Sequence, residues 1–247
     1  MKELKMKMFI CITAYLLLFS SAAFSQSEID FEPGSELILE TGADLSADIL
    51  HINGYYSGGG TINGNPAYVL NLRVIIQGFY DSSSDYMISD MVKVYLRNIS
   101  TPYEVVDSSE SVLDSSGVGT FIFSNAVDGT NYYVAVKHRN SIETWSYMGN
   151  SFFLSSLVYN FSDTASKAFG NNQIQVDNSP LKFALYSGDV NQDGVIDAAD
   201  LSLIEVDASD FISGYVATDL NGDDFTDATD LSIADNNAAN FITIIRP

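Results

Sequence analysis

The sequence predicts a mainly β protein, an all-β sandwich followed by a small α module of paired loop–helix repeats. Three observations predict it. Apolar and polar residues alternate with a period of two along several runs between positions 67 and 187. Short clusters rich in Asp, Ser and Gly separate those runs. An acidic pattern beginning at Gly188 recurs at Thr218 in the same register.

The N-terminal residues, 1–25, have the composition of a secretory signal peptide. Lys2, Lys5 and Lys7 precede an apolar run from Met8 to Phe19, and small residues follow through Ser25. Ala23 and Ser25 suit cleavage before Gln26. The run falls short of the roughly 20 apolar residues that a membrane span needs, and no other run is long enough. The mature chain is thus expected outside the cytoplasm, secreted or at the cell surface, with no transmembrane helix after signal cleavage. Cys11, the single cysteine, departs with the signal, so no disulfide stabilises the rest.

The formal charge is −21. Removing Lys2, Glu3, Lys5 and Lys7, which together carry +2, leaves −23. Such a surface repels nucleic acid and anionic lipid and favours divalent cations. The 46% hydrophobic content is that of a folded protein.

Residues 26–66 read as a β-rich lead-in or spacer. Ser35–Gly42 and Ala47–Gly54 are short strand-like runs, each ending at a glycine, and Gly58–Gly64 follows. This rhythm fits one or two coils of a β-solenoid, or a β-meander. His51 has no second histidine near it.

Residues 67–187 read as the β-sandwich domain. Leu70, Leu72, Val74 and Ile76 form one alternating set, Val92, Val94 and Leu96 a second, and Tyr132, Val134 and Val136 a third. Turns are expected at 81–85, 114–117 and 128–130. The segment Gly117-Val-Gly-Thr-Phe-Ile-Phe123 followed by Asn131-Tyr-Tyr-Val-Ala-Val136 resembles prealbumin-like and carboxypeptidase-regulatory-like sandwiches, where an aromatic strand leads through a turn into a "YxVxV" strand.

Residues 188–247 hold the repeat. Calcium needs six to eight oxygens at about 2.3–2.6 Å, and one tight loop supplies them when acidic and amide side chains recur at fixed steps. In the first copy Asp189, Asn191 and Asp193 take loop positions one, three and five. The Val195 carbonyl takes seven, Asp197 nine and Asp200 twelve, with Gly194 at the turn. The second copy supplies Asp219, Asn221, Asp223, the Phe225 carbonyl, Asp227 and Asp230, with Asp224 in place of the glycine. Two Ca2+ ions are therefore expected, the second held more weakly because Asp224 is strained at the turn. The plainer account of these residues is an acidic solvated surface, but two matches in one register, each followed by an apolar helical pattern, favour calcium. Zinc is disfavoured because the region has no Cys or His.

Lys182–Gly188 reads as a strand, so each loop meets only an exiting helix, over 198–208 and 228–238. Leu201 and Ile204 are placed to pack on Leu231 and Ala234. This duplication resembles the type I dockerin, which implies two bound calcium ions and helices able to dock onto a cohesin. Proteins carrying it are often secreted polysaccharide hydrolases and their accessory subunits. Positions ten and eleven, where the best-known members carry hydroxyls, are Ala198-Ala199 and Ala228-Thr229 here. The calcium-binding dockerin-like fold carries over on these residues; cohesin recognition does not.

A serine triad would have to use His138, which reads as a strand-edge histidine. Trp145, Tyr147 and Tyr133 suit either a sugar-stacking platform or the core. Lys93, Arg97, Lys137 and Arg139 on outward strand positions suit either an anionic glycan or cross-strand acidic partners. The expectation is a secreted, non-catalytic calcium-binding protein, with a cohesin-like protein or a cell-surface glycan as partner. The alternative is an accessory component of extracellular polysaccharide breakdown, associated with O-glycosyl hydrolases; any enzyme here would be a glycoside hydrolase.

Overall fold

The computed structural model describes residues 67–247 throughout and, before them, the backbone of strands between Glu28 and Pro66. The signal-peptide residues lie outside the described ones. The chain divides into two compact units, 1–67 and 68–247.

In the first unit, β1 (Glu28–Phe31), β3 (Asp44–Ile52) and β5 (Thr61–Pro66) pair in parallel, and β2 (Glu36–Leu39) pairs in parallel with β4 (Tyr55–Gly58). Alternate strands joining two parallel sheets is the connectivity of a solenoid coil; a meander would pair neighbours antiparallel.

The second unit begins with β6 (Tyr68–Arg73) and the short hairpin β7 (Tyr80–Asp81) and β8 (Tyr86–Met87). Then come β9 (Asp90–Asn98), β10 (Val105–Leu113), β11 (Val118–Phe123), β12 (Asn131–Lys137), β13 (Thr144–Trp145), β14 (Asn150–Ser151) and β15 (Ser156–Asn160). One sheet runs β10–β9–β12–β13, with β14 also on β12; the other runs β11–β6–β15. The alternation read from the sequence decides which side chains meet between them. Leu70 and Leu72 of β6, Phe121 and Phe123 of β11, Val92, Val94 and Leu96 of β9, and Tyr132, Val134 and Val136 of β12 belong to one buried cluster. Each such side chain contributes roughly 1.5–3 kcal/mol by leaving water. Turns fall at the three predicted clusters. The two strands that carry the prealbumin-like resemblance, β11 and β12, lie in different sheets.

After the hairpin β16 (Ile174–Asn178) and β17 (Leu181–Ala184) the chain enters the repeat, so the first loop is entered from a strand. The helices are α1 (Ala198–Ser209) and α2 (Ala228–Ala239). Ile204 and Ala234 are buried between them, with Val190 and Leu220 from the two loops, and Leu201, Leu231 and Ile233 pack around this group.

The sequence links this module to the sandwich only through Tyr186-Ser-Gly188. The structure adds a broad joint within the second unit. Asn237 Nδ2 donates to Gln77 Oε1 (2.7 Å) and to Ser187 O (2.6 Å). Asn140 Nδ2 donates to Asp219 O at 2.8 Å, and Asn172 Nδ2 to Thr243 O at 3.0 Å. Gly78 lies so close to the second loop that a Cβ there would meet Leu220 O at 2.0 Å. Among the described residues no helix is long and apolar enough to cross a membrane.

Candidate metal centre

Each loop folds around its own carboxylates. At position twelve, Asp200 Oδ1 accepts from the Val190 and Asn191 amides (2.9 and 3.1 Å) and Oδ2 from Asp197 N (3.0 Å). Asp230 repeats this with Leu220, Asn221 and Asp227, at 2.7, 3.1 and 2.8 Å. At position five, Asp193 Oδ1 accepts from Val195 N and Asp223 Oδ1 from Phe225 N, each at 3.0 Å. Asn191 Oδ1 accepts from Asp193 N and Asn221 Oδ1 from Asp223 N. At position nine, Asp197 and Asp227 also cap the helices, and Asp200 and Asp230 complete a capping box on each.

The two loops are clasped by a swap. Ile196 N of the first donates to Ile242 O beyond α2, and Thr226 N of the second donates to Ile212 O beyond α1. Ile244 N to Gly194 O and Gly214 N to Asp224 O complete a pair of two-bond bridges related by the repeat. None of these bonds uses the Val195 or Phe225 carbonyl, the oxygen assigned to position seven. Gly194 and Asp224 both adopt positive φ, 91° and 68°, so the aspartate occupies the left-handed turn that glycine occupies in the first loop.

Position one distinguishes the loops. Asp189 is 3% exposed, and its Oδ1 has no hydrogen-bond partner. Burial, with the neighbouring charges of Asp200 and Asp193, pushes its carboxyl up to about 6. Asp219, equally buried, has donors at both oxygens: Gly222 N at 2.7 Å from Oδ1 and Arg139 NH2 at 3.5 Å from Oδ2. Burial also raises Asp200 and Asp230. Among the described residues, no three His, Cys, Asp or Glu side chains form a cluster that alone would hold a metal ion. A loop of this type draws also on amide and backbone oxygens, here those of Asn191, Asn221, Val195 and Phe225. The hard-oxygen donor set and the orphaned, buried Asp189 oxygen fit a hard divalent cation.

His138 follows the last residue of β12 and precedes the turn at Arg139–Asn140, as its position suggested, but it is buried rather than exposed at the edge. It is 2% exposed, with Nε2 3.1 Å from Asp90 Oδ2 and Nδ1 3.2 Å from Ser141 Oγ. Burial pushes its pKa down against the pull of Asp90, which favours the neutral ring; a neutral ring facing the Asp90 carboxylate donates from Nε2 and accepts at Nδ1. This Ser–His–Asp line is sealed: Ser141 is 0% exposed, so its hydroxyl meets no substrate. Asp90 also accepts from the Tyr215 hydroxyl (2.7 Å) and Arg139 Nε (3.0 Å); against the opposing effect of burial, His138 first and then Tyr215 and Arg139 hold its carboxyl well below the usual range.

The aromatic group is mostly core. Trp145 is 2% exposed, lies edge-on to Tyr103 and takes the Arg97 guanidinium over its ring at 5.0 Å; Tyr147 alone of the three is half exposed. Lys93 pairs across strands with Glu110 at 2.8 Å. No sequence signal marked Asp90, Asn140 or Tyr215, whose partners are distant in the chain.

No protein-family model matches the chain, and no curated protein matches it. Among solved structures it is similar to a crystal structure of a type II cohesin–X–dockerin complex from Acetivibrio cellulolyticus, an N-terminal interface mutant. The identity is 16%, over 71% of this chain and 97% of that one, with a TM-score of 0.35.

Proposed function

We propose that this is an exported, non-catalytic β protein whose C-terminal repeat is a dockerin-like module that takes up two calcium ions. The observation that carries this is the pair of loops with the same carboxylate spacing, the same internal hydrogen bonds and a reciprocal clasp. The first ion would be held by Asp189, Asn191, Asp193, the Val195 carbonyl, Asp197 and Asp200. The second would be held by Asp219, Asn221, Asp223, the Phe225 carbonyl, Asp227 and Asp230. Calcium supplies charge neutralisation there. The chain's own residues supply the turn, the helix caps and the clasp that bring the oxygens together. Thirteen acidic side chains against Arg246 alone make a cation the missing balance of this module. Isothermal titration of the chelator-stripped protein tests the reading: two calcium ions per chain are expected, and no uptake refutes it.

A second reading is an accessory role in extracellular polysaccharide breakdown, with the module docking onto a cohesin-like protein. It is favoured by α1, which exposes Leu203 and Val206 together, where α2 has a half-buried Ile233 and the polar Asn236. Capture on immobilised cohesins, lost on Leu203→Asp, supports it; calcium-loaded protein that none retains argues for a stand-alone module presenting the sandwich for adhesion or glycan contact.

A further inference from the structure

The two loops have matching ligand spacing but not the same surroundings. The first holds a buried carboxylate oxygen on Asp189 with no partner. The second is pressed against the sandwich, and a cation of the chain itself stands at its first ligand. Arg139 lies in the turn that follows β12, with its guanidinium between two buried carboxylates: Nε is 3.0 Å from Asp90 Oδ2 and NH2 is 3.5 Å from Asp219 Oδ2. Tyr215 lies 4.4 Å from it, face on, and donates its hydroxyl to Asp90 at 2.7 Å. Arg139 is 14% exposed in its side chain, and Asn140 beside it holds the Asp219 carbonyl. These partners fix the guanidinium, so it cannot swing away as a surface lysine would.

We propose that Arg139 is the resident counter-ion of the second loop and makes the two calcium sites unequal. This rests on the calcium reading above. Without metal, the guanidinium balances Asp219 and keeps the second loop in place on the sandwich, while Asp189 of the first loop has only the more distant charge of Lys137 and an oxygen with no partner. With metal, the same guanidinium opposes a second cation at the same oxygens, so the first loop binds tightly and the second weakly. The position-six aspartate is a different cause with a different consequence. Asp224 takes the left-handed turn at φ 68°. The loop needs that bend to close whether or not a cation is held, so its strain affects stability more than affinity.

Calorimetry on the full chain separates the causes when the first loop is silenced by Asp193→Ala, so that one titration reads the second. In that background Arg139→Gln should tighten calcium binding by about tenfold, the order expected from removing a fixed charge a few ångströms from a partly buried ion. Arg139→Lys, which keeps the charge, should remain weak, and Asp224→Gly should move affinity less than Arg139→Gln does. If Arg139→Gln does not fold, Asp90→Asn decides with the opposite sign. Freed from Asp90, the guanidinium bears wholly on Asp219, and second-loop affinity falls. Equal affinity in Arg139→Gln and the parent, or tightening by Asp224→Gly instead, overturns the proposal while leaving two calcium sites intact. Absence of uptake by the otherwise unaltered chain overturns the calcium reading itself.

Discussion

Asp189 and Asp219 occupy equivalent places, yet one has an oxygen with no partner and the other has donors at both oxygens. A buried carboxylate with an unpartnered oxygen costs stability on the order of 1–3 kcal/mol. Asp189→Asn should therefore raise the melting temperature of the chelator-stripped protein while removing one equivalent of calcium uptake; a variant that is no more stable without metal would show that Asp189 is not strained. His138 gives a second residue-scale expectation. The folded state holds it neutral, while the unfolded chain takes a proton below about 6.5. The stability it contributes is complete above that pH and declines as pH falls below it. In saturating calcium, His138→Gln should lose less melting temperature than the parent between pH 7 and 5.5; parallel curves would contradict the buried neutral ring. Asp224 in the left-handed turn was legible, because the spacing requires a sharp bend there. The burial of His138 was not, because its partner Asp90 lies far away in sequence.

The two helices owe their starts to the same residues that make the loops. Position nine is also the N-cap, and position twelve is also the third helical residue of a capping box. The acidic spacing therefore announced the helices to within a residue at their ends. Asp227→Ala should cost about 1 kcal/mol through the lost cap even in chelator, read by urea unfolding; a cost seen only with calcium would assign the residue wholly to the metal. The strands β6, β9, β11 and β12 were legible as period-two runs, since one face of each is core; β10 and β15, whose exposed faces interrupt or shorten the pattern, were not. Their partners were not, because alternation says which face is buried and nothing about which sheet a strand joins. The parallel pairing of β15 with β6, and the placing of β11 and β12 in opposite sheets, are long-range choices of this kind.

At the scale of the whole second unit, the sandwich and the helical pair share bonds through Asn237, Asn140, Asn172 and Arg139, and the backbones touch at Gly78 and Leu220. None of this joint was readable from the connecting segment Tyr186-Ser-Gly188, because the residues that make it are far apart in sequence. Trp145 reports on the sandwich and α1 and α2 dominate the helical signal, so the two probes should melt together. Gly78→Ala, which drives a Cβ into Leu220 O, should separate their midpoints; unaltered coincidence in that variant would mean the joint couples nothing. Binding stabilises the native state by mass action, about 2.7 kcal/mol per site at a hundredfold excess over Kd. Calcium should therefore raise the fluorescence midpoint of Trp145, although the loops lie in the other half of the unit. Isothermal titration of calcium into chelator-stripped chain, alone and carrying Asp193→Ala or Asp223→Ala, counts the ions that each loop takes up. Two ions bound by the parent and one by each variant is the predicted result, and a flat titration of the parent would contradict it.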